Sequence, residues 1–296
     1  PKEVIFASLN TYDPAAAVKT QIQHYKVAQT GRPAWMIDWW EFDGNQWFPQ
    51  YRASWQEKMY KKCVEFGVES VTLLGWKISG IEHNVRYLSD FAWNPRLSAK
   101  SFYRDYSSKL YGNSAADLGD DYYMPYDAYD PQSPGASPGD PRYMLLGAGW
   151  SALALPSLPA RVEGLDEPLW KQIVSLASGD VCGISGQQKY YDMDQQAIER
   201  FMKKLPDLDE QGRSWAELMI NRLEFRSIYL KSMMAINESI LIYDKVPREK
   251  GIREAKKAAS QYANDSLKYA KMAIEKYASD IRNRNDQGVI AQLNEQ

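Results

Sequence analysis

Residues 35–44 read WMIDWWEFDG, which sets three indoles beside three carboxylates within ten positions. Acids next to flat aromatic faces are what glycosidic-bond cleavage uses. One carboxyl protonates the leaving oxygen, a second acts as base or nucleophile, and an indole stacks on the apolar face of a sugar ring. If the stretch is a strand, alternation puts Asp38 and Trp40 on one face and Ile37 and Trp39 on the other. Glu41 and Asp43 then enter the following loop. Asp38 and Glu41 are the candidate catalytic pair, with Trp40 and Asp43 as substrate contacts. Each acid also has a plainer role: Asp38 as acceptor for a Lys or Arg of a neighbouring strand, Glu41 as a solvated loop carboxylate.

Two other segments end in comparable groups. EVIFASL (3–9) is followed by Tyr12 and Asp13, and ESVTLLGWKI (69–78) contains Trp76 and leads through a loop to Glu82 and His83. Tyr12, Trp76, Glu82 and His83 therefore join the candidate substrate-binding set. Asp13 before Pro14 also fits a helix N-cap. His83 beside Glu82 fits an acid–base or substrate-orienting pair, or a loop histidine with one backbone hydrogen bond. Arg86 and Asp90 have the spacing of a structural ion pair.

The elements that must position these groups follow from apolar patterning. The three strand-like runs, 3–9, 33–40 and 69–78, alternate with helical segments at 15–30, 54–67 and 98–112. Gly31, Gly67 and Gly112 close the helices, and Ser54 with Glu57 forms a capping-box pattern. This β-α-β-α-β-α order specifies a parallel sheet covered by helices. Either a small three-stranded α/β layer or the end of a (β/α)8 barrel satisfies it. The barrel fragment is the favoured reading, and completing it takes about five more strands before Pro1.

The expected organisation is an α/β segment over 1–112, a Tyr-, Pro- and Gly-rich connecting loop over 113–168, and a helical domain over 169–296. Within the last, two long amphipathic stretches joined near Pro247 predict antiparallel helices. Asn237 and Asn264 each begin an N-x-S sequon, but both fall on helical segments, where chance matches are expected.

Composition excludes several classes. A formal net charge of −2 gives no footprint for nucleic acid or an anionic membrane. No apolar run reaches the ~18 residues of a membrane span. Cys63 and Cys182 lie far apart and only two histidines are present, so no zinc site is expected. Phosphate-loop, dinucleotide and nucleophile-elbow motifs are missing, which disfavours phosphoryl and hydride transfer, and no cofactor is expected. The expected partner is a carbohydrate, with an N-terminal remainder of the same enzyme or a second copy as further partners, in a secreted or periplasmic setting.

A likeness bears on the same reading. YLSDFAWNP (87–95), followed by a helix and LYG (110–112), resembles the last strand-loop-helix of the α-glucuronidase and β-N-acetylglucosaminidase-like glycoside hydrolases. The resemblance covers residues 80–112. It implies a (β/α)8 barrel followed by a helical C-terminal domain, a carboxylate pair and a sugar substrate. It places Trp93 and Asn94 in the site wall or its support. The adjacent acid pair of hexosaminidases is missing, which speaks against acetamido-assisted chemistry.

Overall fold

The computed structural model describes residues 4–10, 22–39, 49–74, 80–129, 167–179, 183–247 and 251–295. The chain divides into two compact units, one of residues 1–135 with 206–213, the other of residues 136–205 with 214–296.

The first unit carries all the strand structure among the described residues. β1 (Phe6–Asn10), β2 (Ala34–Trp39) and β3 (Ser70–Leu74) form a parallel sheet in the order β1-β2-β3. Asn10 stands opposite Asp38, and Asp38 opposite Leu73. Ala34, Met36 and Asp38 are buried on one face of β2, while Trp35 and Ile37 on the other are half-buried. α1 (Ile22–Gln29) links β1 to β2 and α2 (Ala53–Phe66) links β2 to β3. α2 ends at Gly67, whose φ of 74° is the left-handed conformation that glycine tolerates.

This architecture corrects the expected fold class. The structure is mostly helical, with one three-stranded parallel layer, and no part of a (β/α)8 barrel is seen among the described residues. The sequence alternation specifies parallel neighbours joined by helices. Neither strand number nor closure is encoded in that pattern, and the smaller layer satisfies it equally well.

Two local expectations change as well. The Ser54–Glu57 pattern does not form a capping box. Arg52 is the N-cap residue of α2, the Ser54 N–H goes to Asp127, and Glu57 accepts the Ala99 N–H at 2.7 Å. The segment carrying Glu82 and His83 is a helix, α3 (Glu82–Trp93), not a loop. α4 (Ala99–Tyr111) follows, capped by Ser98, whose Oγ accepts the Ser101 N–H.

Residues 113–129 are structured and belong to the first unit. They form a 3-10 turn (Asn113–Ala115), a π turn (Gly119–Tyr123) and α5 (Met124–Tyr129). Tyr122, Tyr123, Tyr126 and Asp127 are buried there. Tyr122, Tyr123 and Tyr126 are thus core residues.

The second unit is helical. It contains α6 (Glu167–Ser178), α7 (Ile184–Lys204), most of α8 (Glu210–Lys245), α9 (Gly251–Ala278) and α10 (Arg284–Glu295). Asn221 bonds the Lys276 carbonyl, Ser232 that of Ser266, and Ser239 that of Ala259. As one number rises the other falls, so α8 and α9 are antiparallel, as their patterning predicts. Asn237 is fully buried and donates to Gln187, so this sequon asparagine is a core residue. No described helix is long and apolar enough to cross a membrane.

Candidate functional site

The site is built around Asp38, near the carboxyl end of the central strand. α2 follows β2 and lies over the face on which Asp38 is buried. Gln56 and Tyr60 are four residues apart on α2, one turn, so both side chains reach the same spot. Tyr60 donates its hydroxyl to Asp38 Oδ2 at 2.5 Å, and Gln56 Nε2 donates to the same oxygen at 3.0 Å. Gln56 Nε2 also lies 2.8 Å from the Tyr60 hydroxyl and 3.3 Å from the Asn84 carbonyl. Asp38 Oδ1 and Gln56 Oε1 are buried and accept no hydrogen bond among the described residues. The expected Lys or Arg from a neighbouring strand is replaced by a tyrosine and a glutamine of the covering helix.

Burial dominates the electrostatics. It pushes the Asp38 carboxyl up from the ordinary carboxylate range, against the smaller opposing effects of the Arg52 charge and the Tyr60 and Gln56 bonds. Burial and the neighbouring Asp38 raise the Tyr60 phenol well above its usual value and the Cys63 thiol to about 12. Cys63 is therefore an unreactive core thiol.

Arg52 organises the entrance to α2. Its N–H donates to Asn84 Oδ1 at 3.1 Å, and its guanidinium lies 4.3 Å from the centre of the Trp55 ring. Its charge also acts on a second buried carboxyl, Asp127, which burial raises to about 6. Asp127 Oδ2 accepts the Ser54 N–H and the Tyr103 hydroxyl, each at 2.8 Å, and Tyr103 accepts the Ala53 N–H at 3.2 Å. The first turn of α2 is thus closed by α4 and α5, which satisfies orphan donors that a local cap would normally take.

The other expected residues divide. His83 is buried in the first turn of α3, where its Nε2 bonds the Gln50 carbonyl and its ring stacks on Tyr51, 4.8 Å between centres. Burial lowers its pKa to about 4, so the ring is neutral. Glu82 accepts the Gly80 N–H at 2.8 Å, so Glu82 and His83 do not form the expected pair. Asn84 links the two regions: its Nδ2 also donates to the Gln50 carbonyl. Trp93 stands at the far end of α3, 92% exposed, and lines no site with Asp38. Arg86 and Asp90 pair across one turn, as their spacing predicts. Tyr12, Trp40, Glu41, Asp43 and Trp76 lie outside the described residues.

Gln56, Tyr60, Arg52 and Asp127 are missing from the sequence-derived set. Gln56 and Tyr60 had a signal: a polar residue inside the buried stripe of an amphipathic helix. Asp127 had none, because it sits in a run without periodicity. Among the described residues, no three His, Cys, Asp or Glu side chains gather as metal ligands do. Neither a family model, nor a curated protein, nor a solved structure matches this chain.

Proposed function

We propose that the chain is a glycoside hydrolase whose site lies at the carboxyl ends of β1–β3, with Asp38 as proton donor and Glu41 as the second carboxylate. Open parallel sheets bind ligands outside these same strand ends. The observation that carries the reading is Asp38 itself, a carboxyl at the end of the central strand that its surroundings hold toward the protonated form. A general acid for glycoside cleavage needs its proton at neutral pH, and burial is how proteins provide it. Trp40 and Trp76 supply the stacking faces in this proposal.

The complete enclosure of Asp38 favours a second reading, a carbohydrate-binding protein without turnover. A panel of oligosaccharides tests both, using the parent chain, Asp38→Asn and Glu41→Gln. Hydrolysis by the parent, lost in both variants, supports the hydrolase. Binding without hydrolysis supports the second reading. Full activity in both variants removes Asp38 and Glu41 from the site.

A further inference from the structure

Gln56 gives one amide hydrogen to Asp38 Oδ2 at 3.0 Å, and the two side chains' remaining oxygens, Asp38 Oδ1 and Gln56 Oε1, are both buried acceptors without a donor among the described residues. We propose that Asp38 rests as a neutral acid with its proton on Oδ1, donated to Gln56 Oε1, so that the two side chains form a closed acid–amide pair. The inference deepens the hydrolase reading, on which it rests only for the use made of the proton.

One hydrogen placed there satisfies both orphaned oxygens, and a buried polar atom without a partner is costly. Turning the amide over is no remedy. It would set Oε1 against the Asn84 carbonyl and Asp38 Oδ2, both acceptors, so the Gln56 orientation is fixed by its neighbours.

Charge balance agrees. Among the described residues, the groups acting on Asp38 are Arg52 ahead of α2, and Gln56, Tyr60 and Cys63 on it; Asn10 and Leu73, beside it in the sheet, bring no charge. Arg52 also acts on Asp127. Among the described residues one buried cation thus serves two buried carboxyls, and ionising both would leave a negative charge uncompensated. In this arrangement Gln56 is a positioning residue, keeping the proton on one defined oxygen.

Asp38→Asn tests the pairing without any substrate. The new amide nitrogen replaces O–H as the donor to Gln56, and its oxygen keeps the Tyr60 and Gln56 bonds. The melting temperature is expected to stay within about 3 °C of the parent. If Asp38 is instead the ionised partner of Arg52, the variant melts about 10 °C lower or fails to fold, which overturns the proposal. Infrared difference spectra at pH 8, above the Asp127 titration, give the second readout. A carboxylic-acid C=O band is expected that disappears in Asp38→Asn and shifts in Gln56→Leu. A parent without such a band at pH 8 also overturns the proposal. Neither readout involves a glycan, so failure here is distinct from failure of the hydrolase reading.

Discussion

Asp127 Oδ2 accepts the Ser54 N–H at 2.8 Å across 73 residues of chain, so the helix that holds Asp38 is capped from α5. The same oxygen takes the Tyr103 hydroxyl, which in turn accepts the Ala53 N–H. Asp127→Ala should lower the unfolding free energy by about 2–3 kcal/mol, through two lost buried hydrogen bonds. Asp127→Asn keeps the acceptor and should cost less than about 1 kcal/mol at pH 4.5, where the folded parent carries a protonated carboxyl. Urea unfolding of both variants decides it. Equal losses mean that the cap contributes nothing.

Asp127 and His83, both buried, should pull stability in opposite directions with pH. Asp127 rises from 3.8 to about 6 on folding, so the folded state binds the proton more tightly and stability falls as pH rises across that window. His83 drops from 6.5 to about 4, so the folded state excludes the proton and stability grows as pH rises from about 4 to 6.5. Each contribution is about 3 kcal/mol and these two largely offset, while Asp38, also raised by burial, adds a decline with rising pH that Asp127 and His83 variants share with the parent. As a difference from the parent, the stability of Asp127→Asn should therefore climb between pH 4 and 6. That of His83→Gln should decline between pH 4 and 6.5. Thermal melts over this range read the slopes, and parallel profiles for all three proteins would refute the assignment.

Gly119 opens the π turn against α4. A Cβ there would meet Arg104 N at 2.5 Å and the Tyr103 carbonyl carbon at 2.6 Å, both backbone atoms that cannot swing aside. Gly119→Ala should cost about 2 kcal/mol or more, because the turn and α4 must separate. Denaturant titration measures it. Gly31→Ala is the control: there the penalty comes from its φ of 75° alone, since no atom lies within 4 Å of the added carbon.

What the sequence displays is what local pattern controls. The three parallel strands, the αL glycine after Phe66 and the antiparallel long helices were legible because period, cap and connection length are local properties. Strand number was not, since β-α-β alternation is common to a three-stranded layer and a barrel. The Asp38 environment was half legible. The strand-end acid was visible, but its partners come from the inner face of α2, and Gln56 inside an apolar stripe reads as an irregularity until the helix is placed on the sheet. Asp127 and the tyrosines around it depend on packing between distant segments, which no window of sequence reveals. His83 beside Glu82 reads as an acid–base candidate, whereas in the structure burial holds the ring neutral, against the smaller opposing effect of its bond to the Gln50 carbonyl.

In the second unit, Arg226 donates through Nε to Asp194 Oδ2 at 2.9 Å and through Nη2 to Oδ1, with both side chains almost wholly buried. Such a pair contributes little net stability when intact, because desolvating two charges offsets their attraction. Breaking it is another matter, since the surviving charge stays buried. Asp194→Asn alone should cost about 3–5 kcal/mol, whereas Asp194→Leu together with Arg226→Met should cost far less, within about 2 kcal/mol of the parent. The difference between single and double variants reads the penalty of leaving the surviving Arg226 charge buried without its partner. Helical circular dichroism through urea unfolding of the full chain supplies the comparison. If the double variant loses as much as the single, the pair contributes directly to stability, and the helices α7 and α8 depend on it for more than register.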